Sequence, residues 1–322
     1  MINAYSLNGS MKSLVPTDGL KHVPADIVWL DLVDPTAQED AYVETLLGIS
    51  IPTRDDLKDI EPSSRLYVEK DSVFMTASLV WRADGDDPQL TDVAFILTGG
   101  LLVTVRYAEP KSFKLFIAAL GRGEPTGDGL TMLGRLLETI ADRTAEILEH
   151  TVDRIDTLST DIFRDRGKRR PPQFLEGKLA EISETHRLVS KVRDSLGSLS
   201  RLLTFLINVP IVHKKETEGS LCRTVAHDVE TLSEHASFIA GNIAFLLDAS
   251  LGLINVEQNA IIKIFSIASV VFLPPTLVAS IYGMNFQFMP ELNWHLGYPL
   301  AILCMMLSAI IPFFFFRWKG WL

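Results

Sequence analysis

The chain has 322 residues, 47% of them apolar, with a positive mean hydropathy and a formal net charge of −10. That length accommodates a soluble domain and more, and the acidic balance argues against nucleic acid as a partner. Two cysteines, Cys222 and Cys304, are too few and too far apart in the sequence for a disulfide framework or a cysteine-based metal site, and they read as packing residues of a reducing compartment.

The N-terminal stretch MINAYSLNGSMKSLVP lacks the basic start and apolar core of a signal peptide, so the long N-terminal part is expected in the cytoplasm. The runs IVWLDL (27–32), VFMTASLVW (73–81), DVAFILT (92–98) and LLVTVRY (101–107) predict strands bounded by turns such as ADGDDP and GG. Between the first two, TAQEDAYVETLLG predicts a helix stopped at Gly48, and TRDDLKDI a short acidic helix. An α/β domain is therefore expected over 1–129. It carries an acidic excess, with 20 acidic against 11 basic residues up to Leu130, which suits a body that attracts cations.

From Leu130 the strand signals stop. Residues 130–165 and 173–208 predict two long polar helices, a helical hairpin within 130–219, separated by RGKRRPPQ and closed by NVP. Lys168, Arg169 and Arg170 in the separator form either a solvated turn or a surface for anionic lipid or a partner. A third helix is predicted to run unbroken from about Ser220 to Tyr282.

Two stripes mark that helix. Val229, Leu232, Ala236, Ile239, Ile243, Leu246, Ser250 and Leu253 alternate steps of three and four, a seam for packing on other helices. The second stripe is Asp248, Gly252, Asn255, Asn259, Ile262, Ser266, Ser269, Leu273, Thr276 and Ser280. Facing lipid, its hydroxyls and amides would be disfavoured, so this side is expected to face protein or water. Ser and Thr can serve close helix packing alone, but packing does not explain why Asp and Asn continue the same stripe. The alternative is a pore with one stripe from each of several identical chains. A homo-oligomer follows, because two membrane helices cannot enclose a water-filled path.

Residues 264–290 carry no formal charge, and neither do 292–316. Each run exceeds the roughly 20 residues that span a bilayer, which predicts membrane helices over about 261–282 and 297–316. Lys263, Arg317 and Lys319 flank the spans, whereas the connecting loop, 283–296, has no Lys or Arg. Both termini, including the basic tail 317–322, are then expected inside a bacterial inner membrane, with the loop outside. An enzyme with a membrane anchor is the competing class. The N-terminal part offers no Gly-rich phosphate loop, nucleophile elbow or HExxH pattern for it, and the seven His show no ligand-like clustering beyond His227 and His235 near Asp228.

The loop itself carries the sharpest signal. Tyr282-Gly283-Met284-Asn285-Phe286, followed by Met289-Pro290-Glu291-Leu292, resembles the signature loop of the CorA family of divalent-cation channels. The likeness extends from INVEQNAIIKIFSIASVVFLPPTLVASIYGMNF through WHLGYP to RWKGWL at the end of the chain. It implies a funnel-shaped homopentamer in which the long helix lines the pore and the second membrane helix forms an outer ring. The implied cargo is Mg2+, with Co2+ or Ni2+ also passing, and the implied regulator is intracellular magnesium. A Zn2+ transporter of the same superfamily, with or without proton coupling, is the alternative, although its members often depart from the two loop strings that are intact here.

Magnesium holds its six waters tightly and prefers oxygen at roughly 2.1 Å. By resemblance, Gly283, Met284 and Asn285 form the selectivity filter. A ring of Asn285 carboxamides can hydrogen-bond the ion's waters, selecting without trapping, whereas a ring of carboxylates would hold the ion too tightly to release it. Asn285 also suits a helix C-cap, with Gly283 adjacent. Glu291, the only charge in the loop, either concentrates cations at the mouth or keeps the loop soluble. Ile262 and Leu273 resemble the family's apolar constriction, which closes by dewetting, with Asn259 at its polar lower end. In the family, a carboxylate of the α/β domain and one on the neighbouring stalk share a regulatory ion. The first corresponds to Asp59. The second falls on Thr224, which has no charge, and Asp228, one turn further on, is the candidate replacement.

Overall fold

A computed structural model describes all residues except 17–19, 21, 59–60, 86, 123–126, 164–172, 211–215, 286–288 and 321–322. The chain divides into two compact units, Met1–Leu247 and Asp248–Leu322.

The first unit begins with a seven-stranded sheet. Its strands are β1 (Ile2–Ser6), β2 (Met11–Leu14), β3 (Ile27–Val33), β4 (Leu66–Glu69), β5 (Ser72–Trp81), β6 (Gln89–Thr98) and β7 (Leu101–Arg106), in the order β2-β1-β3-β7-β6-β5-β4. Among the described residues only β3 and β7 pair in parallel, with Trp29 opposite Leu102 and Val33 opposite Arg106. The connection between them is completed by the β5–β6–β7 meander, whose strands are joined by short turns. At the β6–β7 turn Gly99 and Gly100 both take positive φ, which glycine adopts without a Cβ penalty.

Side chains alternate across the sheet with period two. Leu30, Leu32, Val103 and Val105 pack on one face with Val43 of helix α1 (Ala37–Leu47). That helix is set by its ends. Thr36 and Glu39 form a capping box and Gly48 closes it in the left-handed conformation. The other face presents Trp29, Asp31, Thr104 and Arg106. Trp29 lies 5.5 Å from the Phe116 ring of helix α3 (Lys111–Gly121), α2 being the single turn Pro62–Arg65.

Helices α4 (Gly129–Phe163) and α5 (Phe174–Asn208) complete this layer. Ser198 on α5 accepts a hydrogen bond from the Ser78 amide at 3.0 Å, which docks α5 on β5. Gly129 starts α4 where any Cβ would lie 2.5 Å from the Leu101–Leu102 backbone, so only glycine fits the approach. The strands and long helices expected from sequence are present within a residue or a few at their ends. The segment TRDDLKDI differs, forming a 3-10 turn over Asp56–Lys58, and β1, β2, β4 and α3 are additional.

A single helix, α6, runs from Glu216 to Tyr282. Its early part packs in the first unit, where a Cβ on Gly134 of α4 would lie 2.8 Å from Leu221. The predicted seam is the buried side: Val229, Ala236, Ile239, Ile243, Leu246 and Ser250 are covered, and Leu232 and Leu253 are half-buried.

In the second unit, α6 is followed by a 3-10 turn (Pro290–Asn293) and helix α7 (Gly297–Trp318). Both helices are long and apolar enough to cross a membrane. Ile267 on α6 and Ala301 on α7 are buried, and the Lys263 ammonium donates to the Gly320 carbonyl at 3.4 Å. Gly320 takes a positive φ of 68° there.

Candidate functional site

The polar stripe lies along α6 with every member exposed, from Asp248, Gly252, Asn255 and Asn259 to Ser266, Ser269, Thr276 and Ser280. Ile262 and Leu273, the apolar members, are 61% and 64% exposed. Among the described residues, no side chain buries any of them.

The hydroxyls are oriented by their own helix. Ser266 donates to the Ile262 carbonyl at 2.8 Å and Ser269 to that of Phe265 at 2.9 Å. Thr276 donates to Leu273 at 2.8 Å, with Phe272 at 3.1 Å. Such back-bonding satisfies a hydroxyl proton in an apolar setting, and it leaves oxygen lone pairs directed outward. These three hydroxyls therefore present acceptors, which is what the protons of a hydrated cation require. Pro274 and Pro275 lie inside the same helix. Their missing N–H groups cost the ladder bonds that the Val270 and Val271 carbonyls would accept, and the single Thr276 proton goes to the Leu273 and Phe272 carbonyls instead.

At the end of α6 the Gly283 amide donates to the Ala279 carbonyl at 2.9 Å and the Met284 amide to Ile281 at 3.3 Å. A Cβ on Gly283 would come within 3.0 Å of the Ala279 oxygen, so the turn is tight at that point. Helix termination is thus a backbone matter of Gly283 and Met284. Both Met284 and Asn285 are exposed. Phe286 lies outside the described residues. Glu291 falls in the Pro290–Asn293 turn, with a side chain outside what is described.

The expected regulatory pair is only partly visible. Asp59 lies outside the described residues, as do Lys168, Arg169 and Arg170. Thr224 and Asp228 are both exposed on α6, and the Thr224 hydroxyl donates to Ser220 at 3.2 Å. Asp228 has a neighbour that sequence reasoning missed. Asp142 on α4 is close enough that its carboxyl is held above the ordinary value, first by burial and then by the negative charge of Asp228. The two residues are remote in sequence, and no local pattern links them. Among the described residues, no three His, Cys, Asp or Glu side chains come together as a metal site. His227 and His235 are exposed.

Comparison with known proteins bears on the whole chain. The model of the CorA-like Mg2+ transporter protein family matches residues 24–318. A protein named magnesium transport protein CorA from Salmonella typhimurium is 37% identical over 323 aligned positions, and one of the same name from Pectobacterium atrosepticum is 35% identical. In both cases all of this chain and all of the relative are covered. Among solved structures, the complete CorA magnesium transporter from Methanocaldococcus jannaschii superposes with a TM-score of 0.76 at 20% identity, covering 100% of this chain and 99% of that one.

Proposed function

We propose that this chain, which belongs to the CorA-like Mg2+ transporter family, is one subunit of a channel that passes magnesium ions through a bacterial inner membrane. The observation that carries the proposal is the exposed acceptor stripe of α6, which runs through a helix able to span a membrane. In water-free lipid such a surface is disfavoured, and a second copy or water must face it. Several copies arranged about an axis satisfy that requirement, and a homopentamer is the assembly we favour, with α7 outside and both termini cytoplasmic.

In this arrangement the residues take distinct roles. Asn285, with Gly283 and Met284, forms the outer ring where carboxamide oxygens accept from the ion's waters. Thr276, Ser269, Ser266, Asn259 and Asn255 carry acceptors along the path, Ser280 extends it to the outer end and Glu291 raises the local cation concentration. Leu273 and Ile262 form apolar rings that close by dewetting. Asp59 and Asp228 of adjacent chains share a magnesium ion that favours the closed state. The inside-negative potential drives entry, at about 2.3 kcal/mol per charge per 100 mV.

Co2+ and Ni2+ are further cargoes of the same filter. A zinc transporter is disfavoured because the full-length relatives described above are named for magnesium and both loop strings are intact. The test is flux into liposomes containing the purified protein, read with a dye for each metal. Magnesium entry that follows an imposed negative potential supports the proposal. Zinc entry without magnesium entry overturns it.

A further inference from the structure

The three–four spacing of the α6 stripe does not stop at Asp248. Carried toward the N-terminus it reaches Phe245, Gly241 and Phe238, unbroken over the steps 238, 241, 245, 248, 252 and 255. Phe245 is 66% exposed and Phe238 65%, and a Cβ on Gly241 would meet nothing within 4 Å. Two aromatic rings this open, about 100° around the helix from the buried seam at Ile239 and Leu246, call for a cover.

Lipid cannot supply it. Phe245 lies 19 residues before Ile264, where the uncharged run begins, a separation of roughly 28 Å at ~1.5 Å per residue. That places it well beyond the hydrocarbon of a bilayer. Charge argues the same way, since Glu230, Glu234, Asp248 and Glu257 share this part of the helix. Continuity points to the partner. The seam with the same period is already covered within the chain, whereas Phe238 and Phe245 prolong the uncovered stripe that is read above as the face turned to other copies, and the α6 helices of those copies carry the same residues at the same spacing.

We propose that Phe238 and Phe245 face their counterparts in other copies of this chain on the axis of the assembly, where they form an apolar constriction of the ion pathway below the membrane. The inference rests on the pore reading above for the identity of the axis. A ring of Phe245 side chains has no group that can replace water around a divalent ion, so it sets a dewetting barrier distinct from that at Leu273 and Ile262. Asp248, the next member of the stripe, then holds cations immediately beside it.

Two measurements test this. In full-length protein carrying Cys304→Ala, with Cys222 left buried, Phe245→Cys is oxidised with copper phenanthroline in the membrane. Covalent dimers of the chain are expected, and none from Leu247→Cys, which lies 200° away at 100° per residue. No dimers at position 245 in an intact oligomer, equal cross-linking at 247, or cross-links to a different protein would overturn the placement. Separately, Phe245→Ser and Phe238→Ser in liposomes are expected to raise magnesium flux several-fold, and unchanged flux overturns the constriction. Cross-linking needs no ion flux, so liposomes in which the unsubstituted chain conducts no magnesium would defeat the proposed function and leave the copy-to-copy contact standing.

Discussion

Arg106 and Asp31 face each other across the parallel β3–β7 pair, Nη2 to Oδ2 at 2.8 Å, with side chains 6% and 0% exposed. The ion pair is tied into its surroundings. Thr104 donates to Asp31 at 2.8 Å and accepts from the Trp29 indole at 2.9 Å, Arg106 donates to the Ala108 carbonyl at 3.0 Å, and its guanidinium lies 4.8 Å from the Phe113 ring centre. Removing one partner leaves a buried charge uncompensated, which costs about 3–5 kcal/mol. Arg106→Ala should therefore lower the thermal unfolding midpoint of the detergent-solubilised protein markedly. A midpoint matching that of the unsubstituted protein would show that the pair contributes nothing.

Asn285→Ala removes the carboxamide and little packing, because the residue is exposed. A hydrogen bond to a charged group contributes about 1.5–3 kcal/mol, so roughly a tenfold or greater loss of magnesium uptake is expected. Native mass spectrometry should show the same oligomer as before. Full uptake with an intact oligomer would remove Asn285 from the filter.

Leu273→Ser replaces an exposed apolar side chain on the stripe with a hydroxyl. Wetting of the constriction should then permit leak when internal magnesium is high. Patch-clamp currents that stay suppressed, at normal expression, would place the gate elsewhere.

The regulatory proposal concerns Asp59 and Asp228. A bound ion shifts the population toward the closed state only by its preferential affinity for that state. Asp59→Asn with Asp228→Asn should give currents that no longer fall as cytoplasmic magnesium rises. Asp228→Asn alone should also lower the Asp142 carboxyl toward its ordinary value, because one of the causes raising it is gone. Magnesium inhibition persisting in the double variant excludes this pair as the sensor.

Thr276→Val keeps the shape of the side chain and deletes its oxygen. The loss of one acceptor, at about 1 kcal/mol for a typical hydrogen bond, should slow magnesium flux several-fold without affecting assembly. Combined with Ser266→Ala and Ser269→Ala, the deficit should deepen. Flux equal to the unsubstituted protein in the triple variant would show that these hydroxyls do not meet the ion.

Much of the architecture was legible because the hydrophobic period changes along the chain: alternation and apolar runs up to Arg106, then helical spacing from Leu130. The α1 ends were legible at Thr36, Glu39 and Gly48, where capping chemistry is local. What escaped lacked a local signal. Strand β4, Leu66–Glu69, has two half-buried and two exposed positions, and β2 has three exposed of four, so neither shows alternation. Helix α3 begins after Pro110 with no side-chain cap. The Asp31–Arg106 pair and the neighbouring Asp142 and Asp228 join residues far apart in sequence. At the candidate site, the loop strings and stripe were legible as spacing, and the direction of the hydroxyl bonds was not, since it depends on which carbonyl each proton meets.

Those bonds have a consequence for the sign of the permeating charge. With their protons committed to the Ile262, Phe265 and Leu273 carbonyls, Ser266, Ser269 and Thr276 have no donor left for a visitor. Chloride entering such a pathway would shed part of its hydration and meet oxygen lone pairs in return. The wall would discriminate against anions without any fixed negative charge on the membrane part of α6, and it would do so whatever the pH, because none of its polar groups titrates.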